Sequence, residues 1–174
     1  EGIFPFRRLY YKEKTMAEKV LRKQIGDRIF FSTIEDEKFK TSKISINLIS
    51  PLKRENATLN ALVSNLFSNG CSRFPTQTAL NRKLGMMYGS ILESDIKKSG
   101  DSHIISLTGV CIDDNFTLNG EKLLIELGTL LCEVLMSPPF ENNMFSLKNI
   151  TREKELLKDT ILSEINDKRY YATN

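Results

Sequence analysis

Side chains able to hold a metal or move a proton are scarce in this chain, and their spacing limits what they could do. Histidine occurs once, as His103, in the alternating segment SHIISLTGV. The three cysteines, Cys71, Cys111 and Cys132, form no CxxC pair, so neither a zinc ribbon nor a dithiol redox motif is spelled out; buried reduced thiols in a cytosolic protein are expected. His103 and Cys111 together would give two zinc ligands at most, and a lone strand histidine is more often structural. Asp113-Asp114-Asn115 begins like a calcium-binding loop, but the glycine and distal glutamate of such a loop are out of register. Glu153, Glu155 and Glu164 interleave with Arg152, Lys154 and Lys158, which predicts a solvated helix face with i,i+4 pairs. Met86 and Met87 read as core filler.

The elements that would position these groups follow from periodicity. Lys23 to Thr33 (KQIGDRIFFST) places β-branched and aromatic residues about Gly26-Asp27, a strand–turn–strand pattern. Lys43 to Ser50 alternates Ile44, Ile46 and Leu48 with polar neighbours and stops at Pro51, a half-buried strand. Leu59, Leu62, Val63, Leu66 and Phe67 recur at three and four, predicting a helix capped by Asn56 or Thr58 and ended by Gly70. Thr76 or Thr78 opens a second helix that buries Leu80 and Leu84 and closes at Gly85 to Gly89. Ser90 to Lys97 and Ser102 to Val110 form two strands joined at Gly100. After the polar loop Asp113 to Gly120, an apolar helix runs from Glu121 to Met136 and stops at Ser137-Pro138-Pro139. The last periodic segment extends from Asn142 to Tyr171, with Leu156, Leu157, Thr160, Ile161 and Ile165 in one stripe. This order predicts an α+β fold, a mostly antiparallel sheet with helices packed on one face.

Composition narrows the class. Apolar residues make up 40% and charged residues 27% of the chain, the balance of a soluble, cytoplasmic domain. A net charge of +3, from 25 basic and 22 acidic residues, is too weak and dispersed for nucleic acid. No apolar run approaches the roughly 18 residues of a membrane span. Residues 1–21 read as an N-terminal extension. They mix apolar and basic residues where a signal peptide would segregate them, and Pro5 and their short length weigh against a basic membrane anchor. Met16 offers a natural start, which would leave residues 1–15 as upstream or added sequence. A long terminal helix with no partner element after it suggests one part of a longer protein.

Several local sequences, taken in order, resemble the insulinase (pitrilysin) family of zinc metallopeptidases. KFKTSKISINLISPL is similar to the family's opening strand pair, and LVSNLFSNGCSRFPTQTALNRKLGMMYGSILESDIKK to its metal helix, threonine-led second helix and substrate-side strand. LLCEVLMSPPFENNMF is similar to a helix with an Asn-Pro-x-Phe-type turn, and REKELLKDTILSEINDK to the helix carrying the third ligand. The resemblance spans residues 22–174, read as the N-terminal part of a peptidase-like domain. It implies the metallohydrolase fold of mitochondrial processing peptidase and LuxS, incomplete in this stretch. Tyr88-Gly89, the Lys97-Lys98-Ser99-Gly100 run and Asn166 to Ala172 resemble a bacterial branch whose members come in pairs, one with the metal motif and one without. Non-catalytic members of that branch are associated with aminopentanol modification of elongation factor P.

The family's His-x-x-Glu-His works because positions i and i+4 put two imidazoles on one helix face, while the glutamate polarises the zinc-bound water. Counted back from Gly70, the motif falls on Ala61, Leu62, Val63, Ser64 and Asn65, and the third ligand falls on Thr160, seven residues after Glu153. Ala61 has no donor atom, Ser64 is no base near neutral pH, and Asn65 is a poor zinc ligand. The resemblance therefore implies a non-catalytic subunit without its own cofactor: the structural and substrate-binding half of a heterodimeric clamshell, with zinc only in a homologous partner. The Asn-Ala pair of active relatives corresponds to Leu92 and Glu93, on the strand Ser90, Ile91, Leu92, Glu93, Ser94 that is the candidate peptide-binding edge. Two alternatives stay open: an active zinc peptidase with catalytic residues in a missing part or a partner, and an α+β protein-interaction domain. A severed sheet edge would also favour self-association.

Overall fold

The structure is a computed structural model that describes residues 19–36 and 38–164. Residues 1–15, Met16, Ile165 and the segment Asn166 to Ala172, all used in the sequence reading, lie outside the described residues. Two compact units divide between Phe39 and Lys40, and described structure begins at Lys19, three residues ahead of the expected domain start.

The first unit is the hairpin foreseen around Gly26-Asp27. Strand β1 (Lys19–Gly26) pairs antiparallel with β2 (Ile29–Glu35), with an irregularity between Gln24 and Gly26. Arg28 takes the left-handed conformation that lets so short a turn close. The Arg22 guanidinium lies 4.7 Å from the Phe30 ring centroid.

In the second unit β3 (Thr41–Pro51), β4 (Ile91–Ser99) and β5 (Ser102–Ile112) form an antiparallel sheet of order β3-β5-β4. Central β5 buries every second residue, His103, Ile105, Leu107, Gly109 and Cys111. The register sets Ile44 and Leu92 on either side of Gly109, and Ile46 and Ser94 on either side of Leu107. That face receives helices α1 (Arg54–Phe67) and α3 (Leu123–Met136), while α2 (Gln77–Met86) adds Leu80 and Leu84 to the core. α3 alone buries Leu123, Leu127, Leu130, Leu131 and Val134, each stabilising the fold by about 1.5–3 kcal/mol. It approaches β5 so closely that a Cβ on Gly109 would stand 2.9 Å from the Leu127 Cγ. The middle of the opposite sheet face is polar, with Ser106 Oγ donating to Asn47 Oδ1 at 2.7 Å and the Ser45 and Thr108 hydroxyls 3.1 Å apart, while Ile49 and Ile91 stand exposed toward its ends. The α+β class and the one-sided helical cover are therefore as expected.

Several element boundaries differ from the sequence reading. α1 starts at Arg54 behind Lys53, without a side-chain cap, so neither Asn56 nor Thr58 caps it. Gly70 is not its capping glycine: the helix ends at Phe67, and Gly70 (φ +141°) is required because a Cβ would meet the Phe74 carbonyl oxygen at 2.3 Å. Thr76 does cap α2, accepting from the Ala79 N–H. Residues 140–145 are not helical: β6 (Phe140–Glu141) and β7 (Met144–Phe145) turn over Asn142-Asn143, both left-handed. The last helix, α4 (Leu147–Glu164), begins only after them. Its stripe is not a buried one, since Leu156, Thr160 and Ile161 are exposed.

Candidate functional site

α1 carries three of the four motif positions: Ala61 and Asn65, four residues apart, share one face, while Ser64 points elsewhere. Ser64 is buried against the sheet, its hydroxyl 2.9 Å from that of Ser94 on β4. Asn65, the next residue, turns to a cleft between α1, α4 and the start of α2. Ala61 is half-buried one turn earlier and does not line that cleft. The cleft, about 420 Å³ in volume, is lined by Asn65, Ser68, Asn69 and Gln77 on one side and by Arg152, Glu153, Leu156 and Thr160 on the other. Asn65 and Thr160, 95 positions apart in sequence (160 − 65), thus share one site.

The back of the cleft is a charge knot. Glu153 is buried and accepts from Asn69 Nδ2 at 3.2 Å and from Arg152 Nη2 at 2.8 Å, while Arg152 also donates to Asn69 Oδ1. A buried carboxylate is tolerated when its charge is paired and its lone pairs are used. The expectation of a solvated face on α4 holds at Arg152, Lys154, Glu155 and Lys158, which are exposed, but fails at Glu153 and for the i,i+4 pairs. Glu153 is inside, its ion pair is with adjacent Arg152, and among the described residues Lys154 and Lys158 form no ion pair. The side chain of Glu164 lies outside the described residues.

Zinc does not fit this donor set. Ala61 offers no atom, the Ser64 hydroxyl is used by Ser94, and Thr160 Oγ1 donates back to the Leu156 carbonyl at 2.9 Å. Among the described residues no group of three or more His, Cys, Asp or Glu side chains could hold a metal. His103 and Cys111 share one face of β5 but stand eight residues apart, about 26 Å along a strand, which rules out a common ion. His103 Nδ1 lies 3.2 Å from Asn60 Nδ2, a structural pairing.

Asp113 and Asp114 organise a turn. Asp113 accepts from the Asn115 N–H and Ser42 Oγ, and Asp114 accepts from the Leu124 N–H at the start of α3. Glu121, bonded to its own backbone N–H, to Asn119 and to the Tyr88 hydroxyl, has its carboxyl pulled down to about 2. Of the adjacent methionines only Met87 is buried; Met86 is exposed, as is Cys132, while Cys71 and Cys111 are buried. Burial pushes the Cys111 thiol pKa up.

β4 has a strand neighbour on one side only, which makes it an edge among the described residues. Ile91, Leu92, Glu93 and Ser94 belong to it. Ser90 does not: it is buried in the preceding turn, its N–H and hydroxyl both donating to the Met87 carbonyl. Leu92 packs on the core, and Glu93 stands across from Thr108 on the polar face. Sequence reasoning missed Ser68, Asn69, Gln77 and Arg152 as cleft residues, since no spacing rule links a helix end to a segment some 80 residues later. No described helix is long and apolar enough to cross a membrane.

No family model matches the chain. Over 140 residues it is 29% identical to "Probable inactive metalloprotease YmfF" of Bacillus subtilis (strain 168), covering 80% of this chain and 33% of that protein. It also superposes on the crystal structure of a conserved protein from Enterococcus faecalis V583 with a TM-score of 0.83 and 26% identity, covering 88% of this chain and 36% of the other. The chain thus spans about a third of the length of both relatives.

Proposed function

We propose that the chain belongs to a non-catalytic insulinase-type subunit, the structural and substrate-binding half of a cytoplasmic heterodimeric clamshell peptidase. The observation that carries this reading is the convergence of Asn65 and Thr160 on one cleft where Glu153 is the one side chain of a usual zinc-ligand type. Ser64, where a catalytic base would stand, is spent on holding α1 to β4. In this reading zinc and its activated water belong to a homologous partner subunit. The β4 edge from Ile91 to Ser94 receives an extended peptide through backbone hydrogen bonds, with side chains setting only preference. The bacterial type associated with aminopentanol modification of elongation factor P is the branch we favour, on the Tyr88-Gly89 and Lys97 to Gly100 segments.

The test is affinity capture of the full-length protein from its own cells, with metal analysis and a peptide-cleavage assay on each separated component. A zinc-bearing homologous subunit that cuts, beside a metal-free chain that does not, is the expected outcome. One equivalent of zinc in this chain, or cleavage by it alone, would overturn the reading.

A further inference from the structure

A second depression, sharing no residue with the polar cleft, runs between α1 and α4. It measures about 270 Å³ and is lined by Thr58, Leu59 and Leu62 from α1 and by Leu157, Ile161 and Leu162 from α4. Lys154 and Lys158 complete its wall. Leu59 is 59%, Ile161 50% and Leu162 49% exposed, so the apolar groups are contiguous and wet, unlike isolated surface leucines. The two lysines, at i and i+4, stand on one face of α4. No carboxylate lines the groove, and neither lysine forms an ion pair among the described residues.

We infer that this groove docks an amphipathic helix with acidic flanks, supplied by a partner protein. The apolar floor demands an apolar stripe, and two unneutralised cations on the wall demand opposite charge beside it. From Lys154 to Leu162 the wall is about 12 Å long at 1.5 Å per residue. That length matches a two-turn stripe with anchors at i, i+3 or i+4, and i+7. Like charge on the ligand would meet Lys154 and Lys158 on a wall whose lining carries no carboxylate, with Glu155 and Asp159 beside them on α4 but outside the groove, so the groove selects by repulsion as well as attraction. The inference does not depend on the peptidase-like reading, because it uses none of that site's residues.

Fluorescence anisotropy on the full chain tests it with two labelled helical peptides of about four turns. Both carry leucines at i, i+3, i+4 and i+7; one has glutamates on its flanks and the other lysines. The acidic peptide is expected to bind about tenfold tighter at low salt, with the gap shrinking in high salt as screening sets in. Lys154→Glu/Lys158→Glu, on exposed positions, should reverse the preference. Leu59→Gln should weaken both peptides about fivefold, roughly 1 kcal/mol of lost contact. Equal affinity for the two peptides, a preference that survives the charge reversal, or no binding by either would overturn the inference.

Discussion

Removing the Ser64 hydroxyl probes the position at which the proposed reading would set a catalytic base. Ser64 is 1% exposed and its Oγ lies 2.9 Å from Ser94 Oγ, the side-chain link between α1 and the β4 edge. Ser64→Ala deletes one partner and strands the other, so each single alanine variant should cost about 1–2 kcal/mol, the penalty of an unsatisfied, largely buried hydroxyl. The double variant Ser64→Ala/Ser94→Ala leaves two methyl groups in contact and should cost less than the sum, with a coupling of about 1 kcal/mol. Ser64→Glu should be far worse than either, because a carboxylate there would be buried against the sheet without a countercharge. Urea unfolding of the four variants measures each ΔG, and a thermal midpoint should fall by about 2–4 °C per kcal/mol in a chain of this size. Strictly additive single effects, or a Ser64→Glu variant as stable as the parent, would refute the view that this position has become pure packing.

Three other outcomes follow from the same contacts. Gly109→Ala should destabilise by about 1–2 kcal/mol, as overpacking against fully buried Leu127 outweighs the smaller gain from restricting the unfolded chain; Leu127→Ala in the same chain should relieve much of that penalty in denaturation curves. Arg152→Ala should cost about 2–4 kcal/mol by leaving the buried Glu153 charge to Asn69 alone, and adding Glu153→Gln should recover part of it. Glu121 has a folded pKa near 2 against an ordinary 4.5, so its contribution is complete above about 4.5 and is lost as pH falls through that value toward 2. The stability difference between the parent and Glu121→Gln should therefore shrink across that window, measured by urea titration at stepped pH.

How much of this was legible in the sequence depended on range. Alternation along β3 and β5, the Gly100 turn and the Thr76 cap are local signals, and each element stands where its pattern put it. The start of α1 was not legible because no side chain caps it, and Asn142-Asn143 looked helical because two left-handed asparagines leave no periodic trace. Glu153 is the clearest case. Its neighbours along α4 alternate in charge like a solvated face, and only Asn69, 84 positions away, marks it as buried. At the candidate site, the poverty of Ala61, Ser64, Asn65 and Thr160 as zinc ligands was legible from residue type. The convergence of Asn65 and Thr160 on one cleft is a tertiary fact that spacing alone does not contain.

Zinc titration of the full chain and of a variant with three ligands restored tests the central claim most directly. The parent is expected to show no stoichiometric zinc binding. Ala61→His/Asn65→His/Thr160→Glu should bind one zinc per chain with micromolar or tighter affinity, on the order of what three well-placed protein ligands supply. One equivalent of zinc on the parent, or none on a folded variant, would contradict the account.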